Sequence, residues 1–208
     1  MILDHRSHTK KEHRDTWRTD PRMAAGFFEI FRPCSVDGCA GDENHLLPNY
    51  FTREDNCLSL DWSAKINEVG VSPAVYVNPP FSREDKSAPV RHNGMKNFFM
   101  KAREEAEKGV YSQWFFRART GEGWFPWHLA SRIWFIVGRV AFVDSETMQL
   151  DEQQTENHCV AEFIPGEFPL MAPGFPIHRD DIISAGMRAI ESRKYQLITE
   201  RYEQLSIR

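Results

Sequence analysis

Two adjacent prolines, Pro79 and Pro80, interrupt the chain directly after the apolar run at residues 75–77. No strand inside a sheet passes through such a pair, because neither proline has an N–H for the ladder and each fixes its own φ. The strand therefore stops there. The residue before a proline is pushed out of the helical region, so Asn78 is held extended, and its carboxamide and the following backbone carbonyl are aimed beyond the strand end. Phe81 adds a flat apolar face beside them.

Around this stop the pattern alternates between strand and helix. Asp20 followed by Pro21 predicts a helix start, since Asp caps free N–H groups and Pro is tolerated in the first turn. The helix runs through Ala24, Phe27, Phe28 and Phe31 and ends at Pro33. Residues 34–36 read as a buried strand entering Asp37, Gly38, Cys39, Ala40 and Gly41, small residues that let backbone approach a ligand closely. After a polar loop at 82–93, apolar residues at 95, 98, 99, 102 and 106 mark an amphipathic helix closed by Gly109. Strand-like runs return at 111–116, 133–137, 140–143 and 159–164. Helices between strands predict a mostly parallel α/β sheet, and the closely spaced later strands predict an antiparallel edge. The tail, 180–208, is helical by period, with Ile183, Met187, Ile190, Leu197, Ile198, Tyr202 and Leu205 near one face.

At 208 residues the chain is long enough for one sizeable domain. Residues 1–14, polar and charged, read as an arm ahead of it. Cys34, Cys39, Cys57 and Cys159 form no CxxC pair and follow no signal-peptide pattern, which points to reduced thiols in a cytoplasm and fits no common zinc spacing. No stretch reads as membrane-spanning. The net charge of −4 does not advertise nucleic-acid binding, although a local basic stripe is compatible with it.

The ordered blocks WRTDP (17–21), SVDGCAGDENHLLPNYFTREDNCLSLDW (35–62), YVNPPF (76–81), RARTGEGWF (117–125) and FIVGRVAF (135–142) give the chain a specific likeness. Over residues 17–165 it resembles the phage-type DNA N-6-adenine-methyltransferase (Dam) family. The resemblance implies a Rossmann-like α/β fold with flanking helices and a C-terminal helix. Its organisation would be an arm at 1–14, a methyltransferase domain at 15–165, and an extension at 166–208 packed on the core or on a partner, with a homodimer through that helix as one form. It also implies S-adenosylmethionine as cofactor and double-stranded DNA as partner.

The chemistry of such a reaction explains the NPPF block. An adenine amino group is a poor nucleophile because its lone pair is delocalised into the ring. Two acceptors, the Asn78 side-chain oxygen and the Pro79 carbonyl, would hold its N–H bonds so that the lone pair points at the methyl group, while Pro80 fixes the turn. Phe81 would stack on a base that has left the duplex. By the same resemblance Asp37 and Ala40 line the methionine part of the cofactor, Asp55 meets its adenine end with Leu58 packed nearby, and Trp17 and Thr19 close over it. The chain has TDP where the family often has TPP, so Asp20 alters that lid. Arg83, Lys86, Arg91, His92 and Lys96, following NPPF, are the candidates for phosphate contact.

Plainer readings stand beside these. Asp37 also suits a turn cap, Asp55 and Asp61 suit solvated loop acids, and Trp62, Trp114, Trp124, Trp127 and Trp134 suit the core. The basic loop after NPPF is diluted by Glu84 and Asp85, and Arg117, Arg119 and Arg139 suit ion pairs. Cytosine N4, RNA or a protein amide would present a similar nitrogen to NPPF, and a catalytically silent DNA- or protein-binding relative is a further reading.

Overall fold

Helix α1 (Pro21–Ile30) begins where the Asp20 side chain accepts a hydrogen bond from the Arg22 N–H at 2.9 Å and Pro21 takes the first turn, where an N–H is not needed. The computed structural model describes residues 17–81, 94–145, 147–151 and 156–206. The arm expected at 1–14 and the polar loop expected at 82–93 lie outside the described residues.

Strand β1 (Arg18–Thr19) precedes α1; β2 (Val36–Asp37), β3 (Asn49–Tyr50) and helix α2 (Trp62–Val69) follow it. Strand β4 (Ala74–Val77), helix α3 (Met95–Glu107), and strands β5 (Tyr111–Arg117), β6 (Arg132–Val137), β7 (Phe142–Val143), β8 (Leu150–Asp151) and β9 (His158–Phe163) come next. Strand β10 (Gly174–His178) leads into helices α4 (Arg179–Glu191) and α5 (Gln196–Ser206). Seven strands form the main sheet in the order β10-β6-β9-β5-β4-β2-β3, and β1, β7 and β8 form a small second one.

The central strands β4, β5 and β9 are buried on both faces, which is why they read as nearly continuous apolar runs. Val75 and Val77 of β4 enter a cluster with Trp62, Ile66, Phe98 and Phe99 from α2 and α3. Ala74 and Tyr76 point the other way, into a cluster with Phe27 and Phe28 of α1 and Ile182 and Ile190 of α4. Trp62 and Trp114 are fully buried, and Trp124, Trp127 and Trp134 pack at the margins.

Three expectations need correction. The antiparallel strand is not at an edge: β9 lies inside the sheet, antiparallel to both β5 and β6, while β10 adds a parallel edge strand beside β6. β10 was hidden by Pro176, which an edge strand tolerates because its other side needs no N–H. The run at 140–143 does not join this sheet; its strand, β7, pairs with β1. The C-terminal tail is two helices, not one, with Arg193 at φ 52° in the break. The buried positions of α4 are Ile182, Ala185, Gly186, Ala189 and Ile190, with Ile183 and Met187 only half-buried. Small residues cover this face because α1 and α4 touch backbone to backbone. A Cβ on Gly186 would lie 1.9 Å from the Arg22 carbonyl oxygen, and one on Gly26 would lie 2.1 Å from that of Ile182. Residues 166–206 thus supply an edge strand and two helices to the same body, with α5 also against α1.

Candidate active site

From β2 the chain passes to β3 on one side and then crosses to β4 on the other, so neighbouring strands lead away from each other at the carboxyl ends of β2 and β4. Open α/β sheets leave a crevice at such a switch point. Asp37 is paired with Tyr76, and the Gly38 N–H continues the contact to the Tyr76 carbonyl at 2.7 Å. A Cβ at Gly38 would meet Val75 Cγ1 at 2.8 Å and Val77 Cγ2 at 2.9 Å. Only glycine lets the backbone turn this close to β4.

Asp37 ends β2 with a buried carboxyl group. Its Oδ2 accepts from the Leu46 N–H at 3.0 Å, and the Cys39 N–H also donates to the carboxylate. Burial pushes this carboxyl up to about 6, against the two N–H groups and His45, which favour the charged form. The turn-capping role is therefore real, and it shapes the whole segment that carries Ala40. The Ala40 N–H donates to the Phe51 carbonyl at 3.1 Å, and the Phe51 N–H donates to the Asp37 carbonyl at 2.8 Å. The His45 ring stacks on Tyr50 at 4.2 Å, and the Tyr50 hydroxyl donates to Asp42. The result is a cradle braced by its own polar groups, with small residues on its inner turn.

Across the switch point, Asn78 leaves the end of β4 half-buried, followed by buried Pro79 and half-buried Pro80 and Phe81. Among the described residues, none donates a hydrogen bond to the buried Asn78 Oδ1. Buried acceptors are nearly always paired, and leaving one unpaired costs roughly 1–3 kcal/mol. Phe81 is braced from one side, where the Arg117 guanidinium lies 4.8 Å from its ring centroid. Arg117 is itself paired with Glu156 at 3.1 Å, and Glu156 also pairs with Arg119.

The upstream block reaches the same edge. Buried Thr19 shares a 2.7 Å hydrogen bond with the hydroxyl of Tyr76, two residues before Asn78. Trp17 is half-buried against the α1-side core. Asp20 accepts from the Arg22 side chain at 2.7 Å as well as capping α1, so the TDP departure supplies a helix cap. Asp55 is exposed and its Oδ2 accepts from the N–H and hydroxyl of Thr52, closing a turn; Leu58 packs on the α2/α3-side core. Asp61 caps α2 through the Ala64 N–H. Lys96 is exposed on α3, whereas Arg83, Lys86, Arg91 and His92 lie outside the described residues. Arg139 is exposed, and its carbonyl accepts from Arg179.

Three features were not anticipated: the Arg117–Phe81 contact, the Thr19–Tyr76 bond, and His158. His158 is buried between Phe115 and Phe142, and burial, then Arg117, lowers its pKa to about 4 against the opposing pull of Glu156. Each joins residues far apart in sequence, and spacing carries no signal of that kind. Cys39 and Cys57, thiols from two loops at this edge, approach to 3.6 Å.

Comparison with known proteins matches this chain to other sequences along most of its length. YfdM of Escherichia coli (strain K12), provisionally named a methyltransferase, is 35% identical over 75 residues, 36% of this chain and 80% of YfdM. A DNA N-6-adenine-methyltransferase of Escherichia phage T1 is 29% identical over 147 residues, 64% of this chain and 56% of the phage protein. One of Haemophilus phage HP1 is 31% identical over 80 residues, 37% of this chain and 40% of its own. The chain thus spans little more than half the length of the T1 protein and less of the HP1 protein. No solved structure matches it with significance. The family model for DNA N-6-adenine-methyltransferase (Dam) matches residues 6–188, from before the first described strand into α4. The Asp37 cradle and the Asn78 edge both fall within that match, and the chain belongs to the DNA N-6-adenine-methyltransferase (Dam) family.

Proposed function

We propose that this protein transfers a methyl group from S-adenosylmethionine to the exocyclic N6 amino group of adenine in DNA, on a Rossmann-like sheet. The observation that carries the reading is the buried Asn78 Oδ1, without a donor among the described residues, at the carboxyl end of β4 and beside the turn that follows β2. Family membership and the names of the phage relatives agree with it.

The residues present fit the cofactor. A buried carboxylate at the end of β2, at the switch point beside the open acceptor that ends β4, suits a cationic ligand. S-adenosylmethionine supplies, when bound, an electrophilic methyl group on a positively charged sulfur. Asp37 and Ala40 shape the pocket for its methionine part, Asp55 and Leu58 serve the adenine end, and Trp17 and Thr19 form the upstream wall.

For the acceptor, Asn78 Oδ1 and the Pro79 carbonyl each take one amino N–H of the base. Both are fixed before the reaction, Asn78 by the proline that follows and Pro79 by its ring, so little reorganisation is needed as the nitrogen becomes pyramidal. Phe81 offers its ring to the extruded base, offsetting an unstacking cost of a few kcal/mol. Lys96, with the basic residues Arg83, Lys86, Arg91 and His92, is assigned to phosphate contact on charge and sequence position.

The test is transfer of labelled methyl from S-adenosylmethionine to unmethylated duplex DNA, followed by nucleoside separation. We expect label in N6-methyladenine, reduced roughly 100- to 1,000-fold by Asn78→Ala with cofactor binding retained, a loss typical of removing one preorganised polar group. Label in another nucleoside, or in protein, would move the acceptor; no label with no cofactor bound would leave a binding protein.

A further inference from the structure

The fold treats the cysteines of this chain in two ways. Cys34 and Cys159 are packed in the two cores, where the Cys34 sulfur accepts from the Gln113 side-chain N–H at 2.9 Å and Cys159 lies inside β9. Cys39 and Cys57 instead meet each other, sulfur to sulfur at 3.6 Å, across 18 residues of chain. Cys57 is buried, whereas Cys39 alone of the four is not, so Cys39 is the thiol that a small reagent meets first.

Both backbones are pinned where they bring these sulfurs together. The Cys39 N–H donates to the Asp37 carboxylate, and the N–H groups of its neighbours Gly38 and Ala40 donate to the Tyr76 and Phe51 carbonyls at 2.7 and 3.1 Å. On the other side the Cys57 carbonyl accepts from the Trp62 indole N–H at 2.8 Å, and Asn56, at φ 49°, turns the chain just before it. A disulfide holds its sulfurs about 2 Å apart, so closure asks for a movement of about 1.5 Å, within reach of side-chain rotation and a small shift of the turns. One thiol donates to the other, and this bond, then burial, raises the Cys39 thiol well above its ordinary pKa. The resting pair is therefore the dithiol.

We propose that Cys39 and Cys57 are an oxidation site at which a disulfide closes and lowers the affinity for S-adenosylmethionine, an inference that rests on the methyltransferase reading above. With a peroxide as oxidant, one sulfur attacks the O–O bond, becomes a sulfenic acid and releases water. The second sulfur then displaces that hydroxyl, forming the S–S bond and releasing a second water. The two sulfurs give up two electrons, the peroxide takes them, and both thiol protons leave in the water. Cys39 adjoins Ala40 and Cys57 adjoins Leu58, the residues assigned above to the methionine part and the adenine end of the cofactor. The bond thus draws together two walls of the cofactor's crevice, tying the turn after β2 to the loop before α2. Reversible disulfides in reducing compartments characteristically serve catalysis or redox sensing.

The experiment treats the whole folded chain with hydrogen peroxide, alkylates the remaining thiols after unfolding, and maps the peptides by mass spectrometry. In parallel, S-adenosylmethionine affinity is measured by calorimetry on reduced protein, on oxidised protein and on oxidised protein returned to the dithiol with dithiothreitol. We expect a linked Cys39–Cys57 peptide lighter by two hydrogens, with Cys34 and Cys159 still alkylated. Cofactor affinity should fall roughly tenfold on oxidation, within the usual range of coupling between two sites, and recover with dithiothreitol. By reciprocity, saturating S-adenosylmethionine should disfavour the disulfide by the same factor in a glutathione redox buffer. Cys57→Ala should lose both the linked peptide and the effect of peroxide on affinity. The proposal would be overturned by thiols that both stay free, by a disulfide that leaves affinity unchanged, or by a peroxide effect that persists in Cys57→Ala. Reduced wild-type protein that binds no S-adenosylmethionine would overturn the cofactor reading and with it the effect on affinity, while the linked peptide reports the oxidation site independently.

Discussion

The Arg117 guanidinium covers one side of the Phe81 ring at 4.8 Å from its centroid, and Glu156 holds Arg117 there at 3.1 Å. Arg117 ends β5, the strand next to β4, so a long-range strand pairing places a cation behind the residue assigned to stack on the base. Contacts of this type contribute roughly 0.5–2 kcal/mol, enough to fix a ring that follows two prolines.

We expect Arg117→Met to lower kcat for methyl transfer about threefold to thirtyfold, in line with that range, without changing cofactor affinity. Arg117→Lys should recover part of the loss. In a Phe81→Ala background the same change should have little further effect. Single-turnover rates across this double-mutant cycle measure the coupling; strictly additive losses would show that Arg117 does not act through Phe81.

The buried Asp37 carboxyl, raised to about 6, gives a pH signature. Because its folded pKa lies above the ordinary value of 3.8, the folded state binds the extra proton, and this group's contribution to stability is fully present below about pH 4 and is lost as pH rises through about 6. His158, lowered to about 4 from 6.5, acts in the opposite sense: its contribution is present above about pH 6.5 and is lost as pH falls toward 4. Urea unfolding of Asp37→Asn should therefore show stability climbing more steeply between pH 4 and 6 than in the wild type, because one of two opposing slopes has been removed. A shift of this size corresponds to about 3 kcal/mol at most, before relaxation. If the charged Asp37 meets the cofactor's cationic end, S-adenosylmethionine affinity should also fall below about pH 6 in the wild type and lose that dependence in the variant.

Gly186→Ala sets helix propensity against packing. In an open helix this change would stabilise by about 1 kcal/mol. Here the new methyl would stand 1.9 Å from the Arg22 carbonyl oxygen of α1, a backbone atom that cannot swing away. We expect a net destabilisation of roughly 2–3 kcal/mol from forced separation of the helices. A denaturation midpoint raised by Gly186→Ala would show that α1 and α4 do not pack in backbone contact.

The Thr19–Tyr76 bond ties the upstream wall to the strand that ends at Asn78. Thr19→Val leaves the buried tyrosine hydroxyl unpaired and should cost roughly 1–3 kcal/mol by chemical denaturation. Since Thr19 also walls the proposed cofactor site, its KM for S-adenosylmethionine should rise more than kcat falls. Equal stability of variant and wild type would remove the bond from the account.

Constraints acting between chain neighbours are legible in the sequence alone. Asp20 and Pro21 define the start of α1, Asn78 with Pro79 and Pro80 stop β4, and the apolar spacing from Met95 to Ala106 forms one buried face of α3, because cap, φ and period are local properties. The order of motif blocks pointed to the Dam family for the same reason. What tertiary structure alone decided is who meets whom. Strand β9 runs antiparallel inside the sheet, and β10 docks at the edge despite Pro176, because hydrogen-bond partners in a sheet are chosen by chain crossings that no local pattern encodes. Gly26 and Gly186 are seen as a helix seam only once the backbones touch, since small side chains add nothing to a hydrophobic count. Arg117 over Phe81 belongs to the same class: the charge is ordinary in its own segment and acquires its role from a neighbour that folding brings near.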